Sequence, residues 1–116
     1  MSEAFQIRGG KQLHGEIKPQ GAKNEALQIL CAVLLTGDEI RIKNIPDIHD
    51  VNRLIEILGD FGVKITKNGH GDYTFKADDV NFDYIKSKEF KKDGARLRGS
   101  IMILGPMLAR FGEAYM

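Results

Sequence analysis

Residues 39–66 read EIRIKNIPDIHDVNRLIEILGDFGVKIT, and this stretch decides the fold of the chain. Apolar and polar residues alternate over Glu39–Lys43, which predicts a half-buried β-strand. Pro46-Asp47 is a helix-start signal. The apolar residues after it have the spacing of one helix face: Val51, Leu54, Ile55 and Leu58. Gly62 is placed to end that helix, and a second strand follows over Val63–Thr66.

The sequence on either side of this stretch adds a helix before it and a strand after it. Gly21–Asn24 opens the helix, and nearly every position over Ala26–Leu35 is apolar or small, so we expect burial on most sides. Tyr73–Ala77 predicts a strand after a turn at Asn68-Gly69, in a connection longer than a two-residue hairpin. Helices and strands that alternate in this way indicate the α/β fold class.

Both ends of the chain carry further predicted elements. Two short N-terminal strands are predicted over Ala4–Arg8 and Leu13–Ile17. Ala95–Phe111 is helical in pattern, with a kink or break at Gly105-Pro106 and an end at Gly112. Glu113–Met116 has the pattern of a strand start, and because Met116 falls inside it, we expect the sequence to be truncated.

Composition excludes several functional classes. The chain has 116 residues with 17 basic and 16 acidic side chains, and this balance argues against nucleic acid as the main partner. The most apolar run, Ile29–Leu35, is far shorter than the ~20 residues of a membrane span. The N-terminus lacks the basic and apolar regions of a signal peptide, and one cysteine forms no internal disulfide. We expect a cytoplasmic protein with no membrane partner.

Lys23 is the first residue that could carry chemistry. It follows Gly21-Ala22 at a predicted helix start, where unpaired N–H groups and the helix dipole attract phosphate or carboxylate. Asn24 adds an amide that both donates and accepts hydrogen bonds. The alternative is a solvated first-turn lysine beside an asparagine cap, and these four residues alone favour that alternative.

Arg96 and Arg98 form a second basic helix start. The planar fork of arginine binds phosphate or diphosphate, and the alternative is a solvated first turn. Cys31 lies mid-helix among apolar residues, so we expect it to be a small core residue. The chain has three histidines, at His14, His49 and His70, and they lack the spacing of metal ligands. The sequence therefore predicts no metal site.

Taken together, these motifs resemble the UDP-N-acetylglucosamine 1-carboxyvinyltransferase family. The matching segments are spread along essentially the whole chain in the family's order: Ile7–Gly9, Leu13–Ile17, Gly21–Asn24, Ile45-Pro46, Asp50-Val51, Leu58–Val63 and Arg98–Gly112. The resemblance implies transfer of the enolpyruvyl group of phosphoenolpyruvate to the 3-hydroxyl of UDP-N-acetylglucosamine. Phosphate leaves after a tetrahedral intermediate, no metal or organic cofactor is needed, and the step begins peptidoglycan synthesis.

The resemblance also implies a fold, an inside-out α/β barrel of the enolpyruvyl-transferase type with two similar domains. The chain would supply about one strand-helix-strand-helix-strand-strand repeat together with the N-terminal strands. Residues 1–20 would belong to the domain that a C-terminal part completes, and residues 21–116 would begin the other domain.

Site residues carry over position by position. Lys23 and Asn24 match the family's phosphoenolpyruvate-binding pair, and Arg98 matches the arginine that contacts UDP-N-acetylglucosamine or the intermediate. Arg96 matches no family role. The family's general acid, a cysteine or an aspartate, would lie just beyond Met116, and the base at the sugar hydroxyl later still. We therefore expect no catalytic proton-transfer residue in this chain, Cys31 included, and no activity from the chain alone.

Two alternatives stay open. The related enolpyruvyl transferases of the shikimate pathway share the fold and phosphoenolpyruvate. They typically carry serine after the motif lysine, where this chain has Asn24. The other alternative is a truncated fragment that binds a ligand or partner without turnover.

Overall fold

A computed structural model of the chain describes residues 3–81 and 102–114. Its elements, in chain order, are α1 (Lys23–Ala32), a 3-10 turn (Val33–Leu35), β1 (Glu39–Ile42), α2 (His49–Asp60), β2 (Lys64–Gly69), β3 (Asp72–Lys76) and α3 (Leu104–Phe111). The order helix, strand, helix, strand, strand, helix over the described residues confirms the predicted α/β class.

The three strands of the described residues form one antiparallel sheet in the order β1-β3-β2. Phe75 on the central strand β3 pairs with Ile40 on β1 and with Ile65 on β2. Phe75 is fully buried, while Ile40 and Ile65 pack against the core at its edge. Because side chains alternate along a strand, this row marks the face of the sheet that meets the helices.

The helices supply most of the core. The face predicted for α2 is confirmed, since Val51, Leu54 and Leu58 are fully buried and Ile55 is half-buried. From α1 the buried side chains are Leu27, Leu30 and Cys31. The expectation that this helical segment is buried on most sides holds only in part, because Ile29 and Leu35 are 41% and 49% exposed. The α-helix also ends at Ala32 and continues as a 3-10 turn.

Gly62 caps the C-terminal end of helix α2, as the sequence predicts. The Gly62 N–H donates to the carbonyl of Gly59 and the Val63 N–H to that of Leu58. This pair of bonds is a Schellman motif, which needs a residue with positive φ. Gly62 has a φ of 99° and meets that need.

The connection between β2 and β3 differs from the prediction. It consists of His70 and Gly71 alone, so the expectation of a connection longer than two residues is wrong. Asn68 and Gly69 extend β2 instead of forming the turn, and the pairing register shifts between Lys67 and Gly69. The extra residue in β2 is a bulge, which shortens the connection by lengthening the strand.

Helix α3 begins close to the predicted break. Gly105 and Pro106 lie in its first turn, where a proline costs no backbone hydrogen bond, so they do not interrupt the helix. Gly112 ends α3 in the left-handed conformation, as predicted. Glu113 and Ala114 lie in no strand, in contrast to the predicted strand start.

Residues 3–22, the N-terminal arm, contain no helix or strand, so the strands predicted over Ala4–Arg8 and Leu13–Ile17 do not form. A strand needs a neighbouring strand for its backbone groups, and the three-stranded sheet of the described residues pairs only β1, β2 and β3. The apolar side chains of the arm are almost fully exposed: Phe5 98%, Ile7 87%, Leu13 92% and Ile17 91%.

Candidate functional site

Lys23 is the first residue of α1, as predicted. Its side chain is half exposed, and its Nζ lies 2.6 Å from the Oδ2 of Asp50. Asp50 belongs to the first turn of α2, so the ion pair joins the N-terminal ends of two helices. The hydrogen bond from Lys23 holds the pKa of Asp50 below its ordinary value.

Asn24 is exposed beside Lys23 in the first turn of α1. The residue before them, Ala22, has an extended backbone and no side chain that caps the helix. An asparagine cap is therefore not the role of Asn24, because it lies inside the helix. Lys23 and Asn24, which the sequence singled out, are adjacent in the first turn of α1, and Asp50 contacts Lys23.

Sequence reasoning missed Asp50 as a member of this site. Its place after Pro46-Asp47 predicts the first turn of a helix, where an acidic residue is favoured by the helix dipole. That local signal accounts for an aspartate at this position without requiring a salt-bridge partner. The contact with Lys23 depends on how α1 packs against α2, which the sequence pattern does not specify.

A close backbone contact positions the start of α1. A Cβ on Gly21 would overlap the carbonyl oxygen of Asn44. The loop that carries Asn44 is itself fixed, because the next residue, Ile45, donates its N–H to the carbonyl of Gly71 at 3.0 Å. Asn44 adopts a φ of 60°, which asparagine tolerates better than most residues. Only glycine fits at position 21 beside this loop.

Two cavities flank the same loop, and neither is lined by Lys23. One of about 120 Å³ lies against α1 between Gly21 and Ile45. The other, of about 590 Å³, lies between the N-terminal arm and the β2–β3 connection. Its charged and titratable lining residues are Lys18, Lys43, His70 and Asp72.

Asp72, which lines the larger cavity, forms an ion pair with Arg41. The Nε of Arg41 donates to Oδ1 at 3.0 Å, and its Nη2 donates to Oδ2 at 2.7 Å. This bidentate pair lowers the pKa of Asp72 to about 2, with a further hydrogen bond from Asn68. Asp72 is therefore a carboxylate at neutral pH with a structural partner.

Cys31 is a core residue, as predicted. It is 1% exposed, and burial raises the pKa of its thiol to about 12. A thiol in this state neither reaches a substrate nor ionises near neutral pH.

Arg96 and Arg98 lie outside the described residues. Within residues 3–81 and 102–114, no group of three His, Cys, Asp or Glu side chains could hold a metal ion. No helix in that part of the chain is long and apolar enough to cross a membrane.

Comparison with known proteins identifies the family. Residues 7–116 match the family model described as EPSP synthase (3-phosphoshikimate 1-carboxyvinyltransferase). The chain belongs to the EPSP synthase family. This match spans nearly the whole chain, as does the resemblance drawn from the combined motifs.

Similar curated proteins include UDP-N-acetylglucosamine 1-carboxyvinyltransferases of three bacteria. The chain is 55% identical over 111 residues to the enzyme of Bacteroides fragilis and 54% identical to that of Bacteroides thetaiotaomicron. The corresponding enzyme of Porphyromonas gingivalis is 51% identical. Each alignment covers 96% of this chain, which spans 26% of the length of these relatives.

A solved structure supports the fold. The enolpyruvyl transferase NikO from Streptomyces tendae matches with a TM-score of 0.63 and 24% sequence identity. The match covers 90% of this chain and 23% of that protein. The enolpyruvyl-transferase fold implied by the sequence is thereby confirmed for this EPSP synthase family member.

Proposed function

We propose that this chain works as the N-terminal part of an enzyme that transfers the enolpyruvyl group of phosphoenolpyruvate to the 3-hydroxyl of UDP-N-acetylglucosamine, with release of phosphate. The observation that carries the proposal is 55% identity, over 96% of the chain, to enzymes named for this acceptor. We also place the reaction at the start of peptidoglycan synthesis and in the cytoplasm. The single reduced cysteine fits that compartment.

Lys23 and Asn24 are proposed to bind phosphoenolpyruvate. The Lys23 side chain is half exposed and lies at a helix start, where uncapped N–H groups add to the attraction for an anion. Asn24 is exposed on the next position and offers an amide donor. Geometry and family resemblance therefore support the same pair.

Arg98 is proposed to contact UDP-N-acetylglucosamine or the reaction intermediate. The support for it is the family resemblance over Arg98–Gly112 and the chemistry of the guanidinium, whose fork matches a diphosphate.

The 116-residue chain by itself is proposed to be inactive. Positioned acids and bases contribute roughly 10²–10⁴-fold each, and the family's proton-transfer residues match no position in this chain. Cys31 does not replace them, since it is buried with a pKa of about 12. We also propose that residues 1–20 add strands to a second domain, because the apolar side chains of the N-terminal arm are exposed.

A second candidate is transfer to shikimate 3-phosphate, which the description of the matching family names. The resemblance favours the UDP-sugar, because shikimate-pathway relatives typically have serine at the position of Asn24. The two candidates share the donor and differ in the acceptor.

An acceptor assay on a full-length protein that contains this sequence separates the candidates. Phosphate release from phosphoenolpyruvate is measured with UDP-N-acetylglucosamine and, in parallel, with shikimate 3-phosphate. We expect release with the UDP-sugar alone, and none from the isolated 116-residue chain. Release with shikimate 3-phosphate alone would establish the second candidate and overturn the first.

A further inference from the structure

The proposed phosphoenolpyruvate lysine is already engaged by a carboxylate of this chain. Lys23 begins α1, Asp50 is the second residue of α2, and their side-chain atoms meet at 2.6 Å. Both side chains are partly exposed, at 50% and 39%, so an anion from solvent can reach the ammonium without the pair being dismantled.

We propose that Asp50 is a positioning residue, which holds the Lys23 ammonium at the start of α1 in the place where the substrate anion binds. This inference rests on the proposed function. It adds to that function a residue on α2 that acts through Lys23 and not on the substrate itself.

Asp50 is suited to this role because its helix is anchored. The neighbouring Val51 is fully buried, as is Leu54 one turn later, so the backbone that carries the carboxylate is fixed in the core. A lysine side chain has about four rotatable bonds and loses considerable conformational entropy when it is held in one place. An ion pair formed before binding removes part of that loss from the binding step.

The chemistry of the ammonium allows both contacts at once. A lysine ammonium has three N–H donors, of which Asp50 takes one. Two donors remain for a phosphate or carboxylate. The hydrogen bond from Lys23 lowers the pKa of Asp50, with a smaller contribution from His49, so the contact favours the carboxylate form of Asp50.

Asp50 could also act in the opposite direction and weaken the binding of phosphoenolpyruvate. A carboxylate this close to Lys23 also repels a substrate anion, and removal of the charge would then strengthen binding. Positioning and repulsion therefore predict changes of opposite sign in the affinity for phosphoenolpyruvate. The proposal requires the positioning effect to be the larger.

The test compares three variants of a full-length protein that contains this sequence. Asp50→Ala removes the acceptor and the charge, Asp50→Asn removes the charge but keeps an acceptor oxygen, and Asp47→Asn is the matched control. Asp47 accepts a hydrogen bond from Asn52. We expect Asp50→Ala to raise the KM for phosphoenolpyruvate about five- to tenfold, with Asp50→Asn in between and Asp47→Asn unchanged. The KM for UDP-N-acetylglucosamine should stay the same.

An unchanged or lower KM for phosphoenolpyruvate in Asp50→Ala would overturn the proposal. A readout without turnover keeps this failure separate from failure of the proposed function. In the 116-residue chain, NMR titration of the Asp50 carboxyl should give a lowered pKa that returns toward its ordinary value in Lys23→Ala. If that pKa does not respond to Lys23, the pair does not exist in solution and the proposal falls, whatever acceptor the enzyme uses.

Discussion

Replacement of Gly21 by alanine tests how the site is positioned. The new Cβ would overlap the carbonyl oxygen of Asn44 and would lie 3.2 Å from both the carbonyl carbon of Asn44 and the Cδ of Pro46. The nearest atom is backbone, so it does not yield as a flexible side chain would. Its loop is also held by the hydrogen bond from Ile45 to Gly71. Relief therefore requires the arm and the first turn of α1 to move away.

The magnitude follows from the size of this clash. Overpacking of well-packed sites costs about 1–3 kcal/mol, and a backbone contact this short, against a fixed loop, places Gly21→Ala at the upper end, about 3 kcal/mol. Gly9→Ala is the matched control, because a Cβ there meets nothing within 4 Å.

Urea denaturation of the 116-residue chain measures the difference in free energy of unfolding between these two variants. We expect the free energy of unfolding of Gly21→Ala to be well below that of the wild type and that of Gly9→Ala to equal it. Equal stability of the two variants would refute the claim that this contact fixes the start of α1.

Three further predictions address the core, the sheet and α3. Cys31→Ala should lower the free energy of unfolding by about 1 kcal/mol through lost packing, and Cys31 should resist alkylation at pH 8 until the chain is unfolded. Asp72 has its pKa lowered from 3.8 to about 2, so its stabilising effect is present above pH 3.8 and is lost as the pH falls toward 2. The free energy of unfolding of Asp72→Asn should therefore fall less than that of the wild type between pH 3.8 and about pH 2. Arg110→Ala should cost about 2 kcal/mol in urea denaturation, because Arg110 donates to the carbonyls of Leu34 and Ala77.

Local patterns predicted most of the fold. The alternation over Glu39–Lys43 and the helical spacing from Val51 to Leu58 each report one buried face, and both elements form where that spacing places them. Gly62 and Gly112 were predictable as helix ends because positive φ is a local demand that glycine meets. In each case the deciding interaction lies within a few residues.

The features that the sequence did not predict depend on contacts between residues far apart in the chain. Leu13–Ile17 has the alternation of a strand, but a strand also needs a partner, and alternation cannot supply one. The bulge that moves the β2–β3 connection to His70-Gly71 depends on the register with β3. Asp50 was missed for the same reason, since its contact with Lys23 is made by helix packing.

The most direct test of the central claim is the saturation of a full-length protein with phosphoenolpyruvate after Lys23→Ala. Loss of a charge-assisted contact to the substrate costs roughly 2–4 kcal/mol, which corresponds to a rise of about 30- to 850-fold in the half-saturating concentration. Lys67→Ala serves as the control, because Lys67 lies over the ring of Tyr73 on the sheet. We predict that rise for Lys23→Ala and normal saturation for Lys67→Ala. Near-normal saturation of Lys23→Ala would contradict the assignment of this helix start as the phosphoenolpyruvate site.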